Sequence, residues 1–278
     1  MVLTIITINR NNAAGLEKTM QSVLNQTRTD FEYVVVDGAS TDGSVEVIRR
    51  LAEGFGDRLK WVSEPDKGIY NAMNKGIGMA SGKYVQILNS GDSLAAPDVV
   101  AKLFAALDQE GNPSILYGNM LKDFADGCIH RDRSFAGEEI TFLRFFIGTL
   151  NHSPAYIRRS LFQKYGLYDE TLKIVSDWKW YLQAIVFGEE KPVYADIDVT
   201  LFDMAGISET NKDLTKAERE QVLREMVPPS ILADYVAWTP SIRQMKRLKQ
   251  HPWAYKIVWF LERCLFKVEK RGDKRVNG

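Results

Sequence analysis

Residues 2–8 form a near-continuous run of apolar and threonine positions, the pattern of a strand buried on both faces. A polar turn, Asn9-Arg10-Asn11-Asn12, leads into a stretch where Leu16, Met20, Val23 and Leu24 recur at helical spacing. Phe31 to Val36 is again apolar and β-branched. The small polar loop from Asp37 to Ser44 then precedes a second helix carrying Val45, Ile48, Leu51 and Ala52. Leu59 to Ser63 predicts a third strand. Ile69, Met73 and Ile77 recur every four residues beside Ala72, Gly76 and Ala80, which is one apolar helix stripe, and Ser81-Gly82 stops it. Tyr84 to Leu88 has the aromatic and β-branched content of a core strand. The alternation predicts a mostly parallel sheet with right-handed crossovers. Asn89-Ser90-Gly91-Asp92 then falls just past the carboxyl end of a strand, where open α/β sheets place their ligands.

Beyond that point the pattern is more mixed. Pro97 opens a helix with Val100, Phe104 and Leu107 facing inward. Ser114 to Gly118 reads as a strand, and Asp126-Gly127 as the turn of a hairpin between Met120–Phe124 and Cys128–Arg131. Short helices are expected over 137–170, with Asn151-His152-Ser153-Pro154 as a loop. Ser176 is expected to cap a helix whose Trp180, Tyr181, Ala184 and Ile185 face the core. Pro192 to Met204 alternates like a late strand, and Gly206-Ile207-Ser208 is a loop. From 211 onward the chain is helical and charged. The fold class is α/β over 1–210, with a helical extension over 211–278.

Composition adds limits. The 278 residues are 45% apolar and 26% charged, as in an ordinary globular protein. Two cysteines, Cys128 and Cys264, lack metal-like spacing and suit a reducing, cytoplasmic setting. With three histidines, a histidine-rich metal centre is not expected. No charged leader precedes the first apolar run, and no run of 18 apolar residues predicts a spanning helix. The net charge of zero hides an asymmetry, because 241–278 carries eleven Lys/Arg against three Asp/Glu. The tail is basic and the body acidic. No nucleic-acid partner is expected.

Several side chains have the right type and place for chemistry. Asp37 ends a strand, and its position alone leaves it open between a capping loop and a contact to a nucleobase or ribose. Asp42 reads as a helix cap. Gly76, Gly78 and Gly82 resemble a dinucleotide string but lie in and after a helix, and no G-x-x-x-x-G-K-[ST] loop exists, so both nucleotide motifs are rejected. Asp92, with Asn89 and Ser90, makes an oxygen-rich turn suited to a hard divalent ion, Mn2+ or Mg2+, that also carries phosphates. Asp177 begins a helix, where the ionised form is favoured. It can serve as a general base or simply stabilise the first turn. His152, in its loop, is open to a structural or a functional role.

Taken together these stretches resemble the family 2 glycosyltransferases of GT-A fold, the inverting kind that build bacterial surface polysaccharides. The resemblance rests on Thr7-Ile-Asn-Arg10, Val35-Val-Asp-Gly-Ala-Ser-Thr-Asp-Gly-Ser44 and Glu64-Pro-Asp-Lys-Gly-Ile-Tyr-Asn-Ala-Met-Asn-Lys-Gly-Ile77. It continues through Gly82-Lys-Tyr-Val-Gln-Ile-Leu-Asn-Ser-Gly-Asp92, His152-Ser-Pro, Gly166-Leu-Tyr-Asp-Glu170, Ser176-Asp-Trp178 and Gly206-Ile-Ser208, in order over roughly 1–210. It implies a Rossmann-like sheet with a nucleotide-sugar half over 1–105 and an acceptor and catalytic-base half over 106–210.

By that resemblance Asp37 would contact the nucleobase, with the backbone near Thr7 and Asn9 lining the base pocket. Asp66, Lys67 and Asn74 would stand near the donor. Asn89 and Ser90 would lie at the diphosphate, Asp92 would hold the metal, and Asp177 would be the base. His152 would lie near the diphosphate or the acceptor. The family's usual Asp-x-Asp cluster here reads Asn89-Ser90-Gly91-Asp92, and strict alignment puts the usual metal ligand at Gly91. A processive Gln-x-x-Arg-Trp motif is absent, which implies addition of one sugar at a time to a saccharide or polyprenyl-diphosphate-linked acceptor. The alternatives are a catalytically weak nucleotide-sugar-binding protein and a nucleotidyltransferase; the latter lacks its glycine-rich basic loop after the first strand. The basic, aromatic stretch over 241–271 has two readings: a helix on the anionic inner face of a membrane, or one packing on the body or in a homodimer.

Overall fold

The computed structural model describes residues 2–123, 128–203 and 211–276, in two compact units, Met1–Val222 and Leu223–Gly278. The first unit is built on one nine-stranded sheet. Strands β1 (Leu3–Asn9), β2 (Glu32–Asp37), β3 (Leu59–Ser63) and β4 (Tyr84–Ile87) pair in parallel in the order β3-β2-β1-β4. The order continues through β8 (Ala155–Arg158), β6 (Ile115–Asp123), β9 (Val193–Phe202) and β5 (Ser93–Leu94), with β7 (Ile129–Asp132) paired to β6. β8 runs antiparallel to both neighbours, so the sheet is parallel in its first half and mixed in its second.

The apolar periodicities find their partners. Helices α1 (Ala13–Leu24), α2 (Ser44–Phe55) and α4 (Val99–Gln109) bury Leu16, Met20, Ile48, Phe55, Val100 and Phe104 in one cluster with Leu3, Ile5, Tyr33 and Val35. Strand side chains alternate faces, so Ile6 points the other way, towards α3 (Ile69–Met79). There a Cβ on Gly76 would lie 2.3 Å from Ile6 Cγ2, and one on Gly82 would lie 2.6 Å from the Thr4 backbone nitrogen. Both glycines allow α3 and its exit to lie against β1. They are packing residues, not a phosphate cradle.

The second half departs from the sequence reading at several points. The strands expected over Ser114–Gly118 and Met120–Phe124 are one strand, β6, with irregular register between Tyr117 and Met120. A Cβ at Gly118 would lie 2.5 Å from the Ile197 carbonyl of β9. β8 lies in the stretch expected to hold short helices, which does also contain α5 (Phe142–Ile147) and α6 (Ser160–Tyr165). The helix after Pro97 starts at Val99, because the Pro97 carbonyl accepts from the Thr27 amide. Ser176 is the first residue of α7 (Ser176–Tyr181, continued by π-helical turns to Phe187) and makes no side-chain cap. Instead the Glu218 carboxylate, on α8 (Lys212–Met226), accepts from the amides of Lys173, Ile174 and Val175. The hairpin turn at Asp126-Gly127, Met204, and the Gly206-Ile207-Ser208 loop lie outside the described residues.

The second unit holds α9 (Pro229–Lys249) and α10 (Pro252–Val276). Among the described residues no helix is long and apolar enough to cross a membrane. Trp238, Trp253, Ile257, Trp259, Phe260 and Leu261 are nonetheless exposed.

One buried polar group ties the parallel strands together. Glu32 on β2 accepts from Thr4 on β1 (2.6 Å), from the Ser81 amide and hydroxyl (2.7 and 2.9 Å), and from Lys60 on β3 (2.6 Å). Burial alone would raise its pKa, but the Lys60, Thr4 and Ser81 donors outweigh that and hold it at about 2. A depressed carboxylate pKa stabilises the fold fully above the unfolded value of 4.5, and that contribution is lost as pH falls through about 2. Glu32→Gln is therefore expected to lower unfolding free energy at neutral pH by about 1–3 kcal/mol, the cost of unsatisfied buried partners. Denaturant melts in acid should show the variant losing less further stability than the parent. Equal stability of the two proteins at pH 7 would refute the role.

Candidate active site

The strand ends open into a cavity of about 620 Å³. Asn9 and Asn12 follow β1, Asp66 precedes α3, and Asn89, Ser90 and Asp92 follow β4; all line it, and His152 and Asp177 close its far side. Arg10 and Lys173 also line it, so its wall carries positive as well as negative groups.

The wall formed after β1 is backed by a buried carboxylate. Asp37 is fully buried and accepts from Asn9 Nδ2 (2.8 Å), the Ser40 amide (3.0 Å) and hydroxyl (2.6 Å), and the Ser63 hydroxyl (2.6 Å). Burial pushes its pKa up, and these donors more than reverse that, so it stays ionised. It stands behind the cavity wall and orients Asn9, whose buried Oδ1 has no partner. Thr7 is also buried below the cavity, accepting from Tyr33 (2.9 Å). Asp66 lines the cavity while bound to Lys75 (2.7 Å). Lys67 and Asn74 do not line it. Lys67 donates its amide to Asn71, and Asn74 clamps the Tyr168 backbone and Glu170. Asp42 bonds the first amides of two helices, Ala13 and Ser44.

The turn after β4 is pinned from α1. Thr19 accepts from the Gly91 amide (3.0 Å) and donates to the Asp92 carbonyl (2.5 Å), and Asn12 donates to the Ser90 carbonyl (3.3 Å). Asp92 is 3% exposed; its Oδ1 accepts from the Asp203 amide (2.8 Å) and its Oδ2 has no partner. Burial raises its pKa to about 6, only partly opposed by that amide. A buried carboxylate with an unpartnered oxygen, on a residue that lines a cavity, suits a hard divalent cation. Among the described residues no group of three or more His, Cys, Asp or Glu could hold one alone, so phosphate oxygens would complete the shell.

Three elements meet at Asp177. Its Oδ2 is 3.3 Å from His152 Nδ1, and the Tyr70 hydroxyl on α3 lies 3.1 Å from its Oδ1 and 2.5 Å from the Ile174 carbonyl. Burial would raise the Asp177 pKa, but His152, the Trp178 amide and Tyr70 lower it. His152 is displaced oppositely: burial disfavours its charge, and the bond and charge of Asp177, with Asp92, more than compensate. Asp177 is thus ionised beside a histidine biased towards its cation. The loop carrying His152 is fixed by Gln86, which donates to the Ser153 carbonyl (2.8 Å). Beyond the pair a second cavity, of about 390 Å³, shares His152, Ile174, Asp177 and Phe202 with the first. Its own wall includes Lys122, Phe135, Trp178 and Arg219, the guanidinium lying 4.7 Å over the Trp178 ring. One ionised carboxylate is thus shared by the walls of two cavities.

Sequence reasoning passed over Tyr70, Thr19 and Arg219. Tyr70 adjoins the stripe of α3 and reads as core, and nothing in the charged stretch after 211 distinguishes Arg219 from its neighbours.

The model of the family described as "Glycosyl transferase family 2" matches residues 4–166. An uncharacterized glycosyltransferase of Mycobacterium tuberculosis is 34% identical over 208 residues, covering 74% of this chain and 76% of that one. A PGL/p-HBAD biosynthesis glycosyltransferase of Mycobacterium bovis is 29% identical over 182 residues, covering 66% and 69%. Among solved structures, S. aureus TarS 1–349 in complex with UDP-GlcNAc superposes with TM-score 0.61 at 20% identity, covering 73% of this chain and 58% of that fragment. The mannosyltransferase PcManGT of Pyrobaculum calidifontis, in complex with GDP-Man and Mn2+, gives 0.57 at 22% identity, covering 72% and 56%. These two likenesses show the fold, and the chain spans less than two thirds of either protein.

Replacing His152 by Gln removes a charged partner of Asp177, so the Asp177 pKa rises. The acid limb of the pH–turnover profile, read as the ionisation of Asp177, should then move upward. An acid limb left in place would show that His152 does not set the ionisation of Asp177.

Proposed function

This chain belongs to glycosyl transferase family 2, and we propose that it moves one sugar from a nucleotide-sugar to a saccharide hydroxyl with inversion. The observation that carries the reading is the meeting of two cavities at one ionised carboxylate, Asp177. The donor occupies the larger cavity, with its base near Asn9 and its diphosphate towards Arg10, Lys173 and the turn at Asn89 to Asp92. The acceptor enters the smaller one. Asp177 takes the proton from the acceptor hydroxyl, whose oxygen attacks the anomeric carbon. The bond from that carbon to the diphosphate breaks, and its electron pair leaves with the nucleoside diphosphate. Tyr70 and His152 hold Asp177 in line for that transfer. Mn2+ or Mg2+, held by Asp92 with the donor phosphates, would offset charge on the leaving group.

The donor in this reading is a UDP-sugar, in keeping with the ligand of the TarS complex. The acceptor in this reading is a saccharide or polyprenyl-diphosphate-linked saccharide of a surface polysaccharide, as the sequence resemblance implies. Asp177→Asn should lower turnover by roughly 10²–10⁴-fold, the usual contribution of general base catalysis. Donor binding should survive. A screen of UDP-, GDP- and dTDP-sugars by nucleotide release identifies the donor on which to measure this, and full turnover in the variant would refute the base assignment.

The exposed apolar side chains of α10, flanked by Lys256 and Arg263, give the second unit a surface suited to an anionic membrane, where a lipid-linked acceptor resides. The full chain should sediment with phosphatidylglycerol vesicles, and Trp253→Ser combined with Phe260→Ser should release it. Sedimentation unchanged by the pair of substitutions, or none at all in the parent, would refute this surface.

A further inference from the structure

Asp92 lines the larger cavity and has one buried carboxylate oxygen that no protein group in the described structure satisfies. The residue beside it comes from far along the chain. β5 begins immediately after Asp92 and pairs antiparallel with the end of β9, Ser93 opposite Leu201 and Leu94 opposite Thr200. That register brings Asp203, just past β9, against the turn, where its amide bonds Asp92 Oδ1 at 2.8 Å. Asp203 also lines the cavity.

The geometry at position 91 says where the Asp203 carboxylate lies. Gly91 has φ of +104°, and a Cβ built on it would meet Asp203 Oδ2 at 2.7 Å. The Asp203 carboxylate therefore fills the space that a side chain at 91 would enter. Two carboxylates are brought to one wall of a cavity, one of them nine-tenths buried with an oxygen unpartnered. Two carboxylates this close, one of them buried, repel each other unless a cation is shared between them.

We propose that Asp203 is the second carboxylate of the divalent-cation site, contributed from the end of β9 to act with Asp92 on the donor diphosphate. This rests on the glycosyl-transfer reading above. Two carboxylates completed by phosphate oxygens make the kind of oxygen shell that Mg2+ or Mn2+ accepts without an all-protein cage. The pairing of β5 with β9 acquires a purpose: two residues of strand are enough to bring residues 92 and 203 together.

The test is Mn2+ binding by the full chain, followed as loss of the free-ion electron paramagnetic resonance signal, with Mn2+ alone and with UDP or GDP added. Asp203→Asn keeps the backbone amide and the side-chain shape. It should weaken Mn2+ binding in the presence of nucleotide at least roughly tenfold, the lower end of what losing even an outer partner of a metal site costs. Asp203→Glu, which restores the charge, should recover part of that loss. Parental Mn2+ affinity in both variants, with Asp92→Asn still impaired, would overturn the role of Asp203 alone and leave the transferase reading standing. A parent chain that binds no Mn2+ with either nucleotide would overturn the cation site altogether, while nucleotide release from a sugar donor in chelator would show transfer proceeding without it.

Discussion

An ionised carboxylate can be kept inside a protein only if donors surround it, and Asp177 draws its donors from separate parts of the chain. Tyr70 comes from the helix between β3 and β4, His152 from the loop before β8, and the Trp178 amide from its own helix. The parallel half and the mixed half of the sheet must therefore be in register before Asp177 has its donors. The insertion of β8 between β4 and β6 achieves this: it places His152 across from the end of β4, within 3.3 Å of Asn89. Glu218 does the same for the approach to α7, tying down the three amides that lead into it.

The same logic of buried polar groups runs through the parallel half of the sheet. Asp37 and Glu32 are both carboxylates saturated by neighbours, and both hold strands and loops together without reaching the cavity. Asp92 differs from them in having an oxygen left over. That contrast sets Asp92 apart from the two carboxylates that only build the fold. It follows from counting donors, which composition and position cannot supply.

Much of the first half was legible in the sequence because its elements are local. A strand buried on both faces is a continuous apolar run, and α3 has an unbroken stripe, although it ends at Met79 with Ala80 as its cap, before the expected Ser81-Gly82 stop. Of the three glycines, Gly76 packs its helix on β1, Gly82 lies against β1 just past the helix, and Gly78 faces open space. The second half was harder because its order is set by long-range pairing. β5 is two residues long, β8 carries no signal distinct from its helical surroundings, and the bulge at Gly118 joins two stretches that read as separate strands. At the site, Asn9, Asp66, Asn89, Ser90, Asp92, His152 and Asp177 converge on the cavity. Thr7, Asp37, Lys67 and Asn74 do not line it, since strand position cannot tell a wall from what stands behind the wall. Asp203 carried no sequence signal, because its neighbour in space is more than a hundred residues away.

The central claim is that one carboxylate, between two cavities, drives a single displacement. The stereochemistry at the transferred carbon tests it most directly. Proton NMR of the fresh product, from an α-linked nucleotide-sugar that the enzyme turns over, should show the anomeric proton of a β-linkage. An α-linked product would mean retention, and a double displacement or front-face mechanism that this single base does not explain.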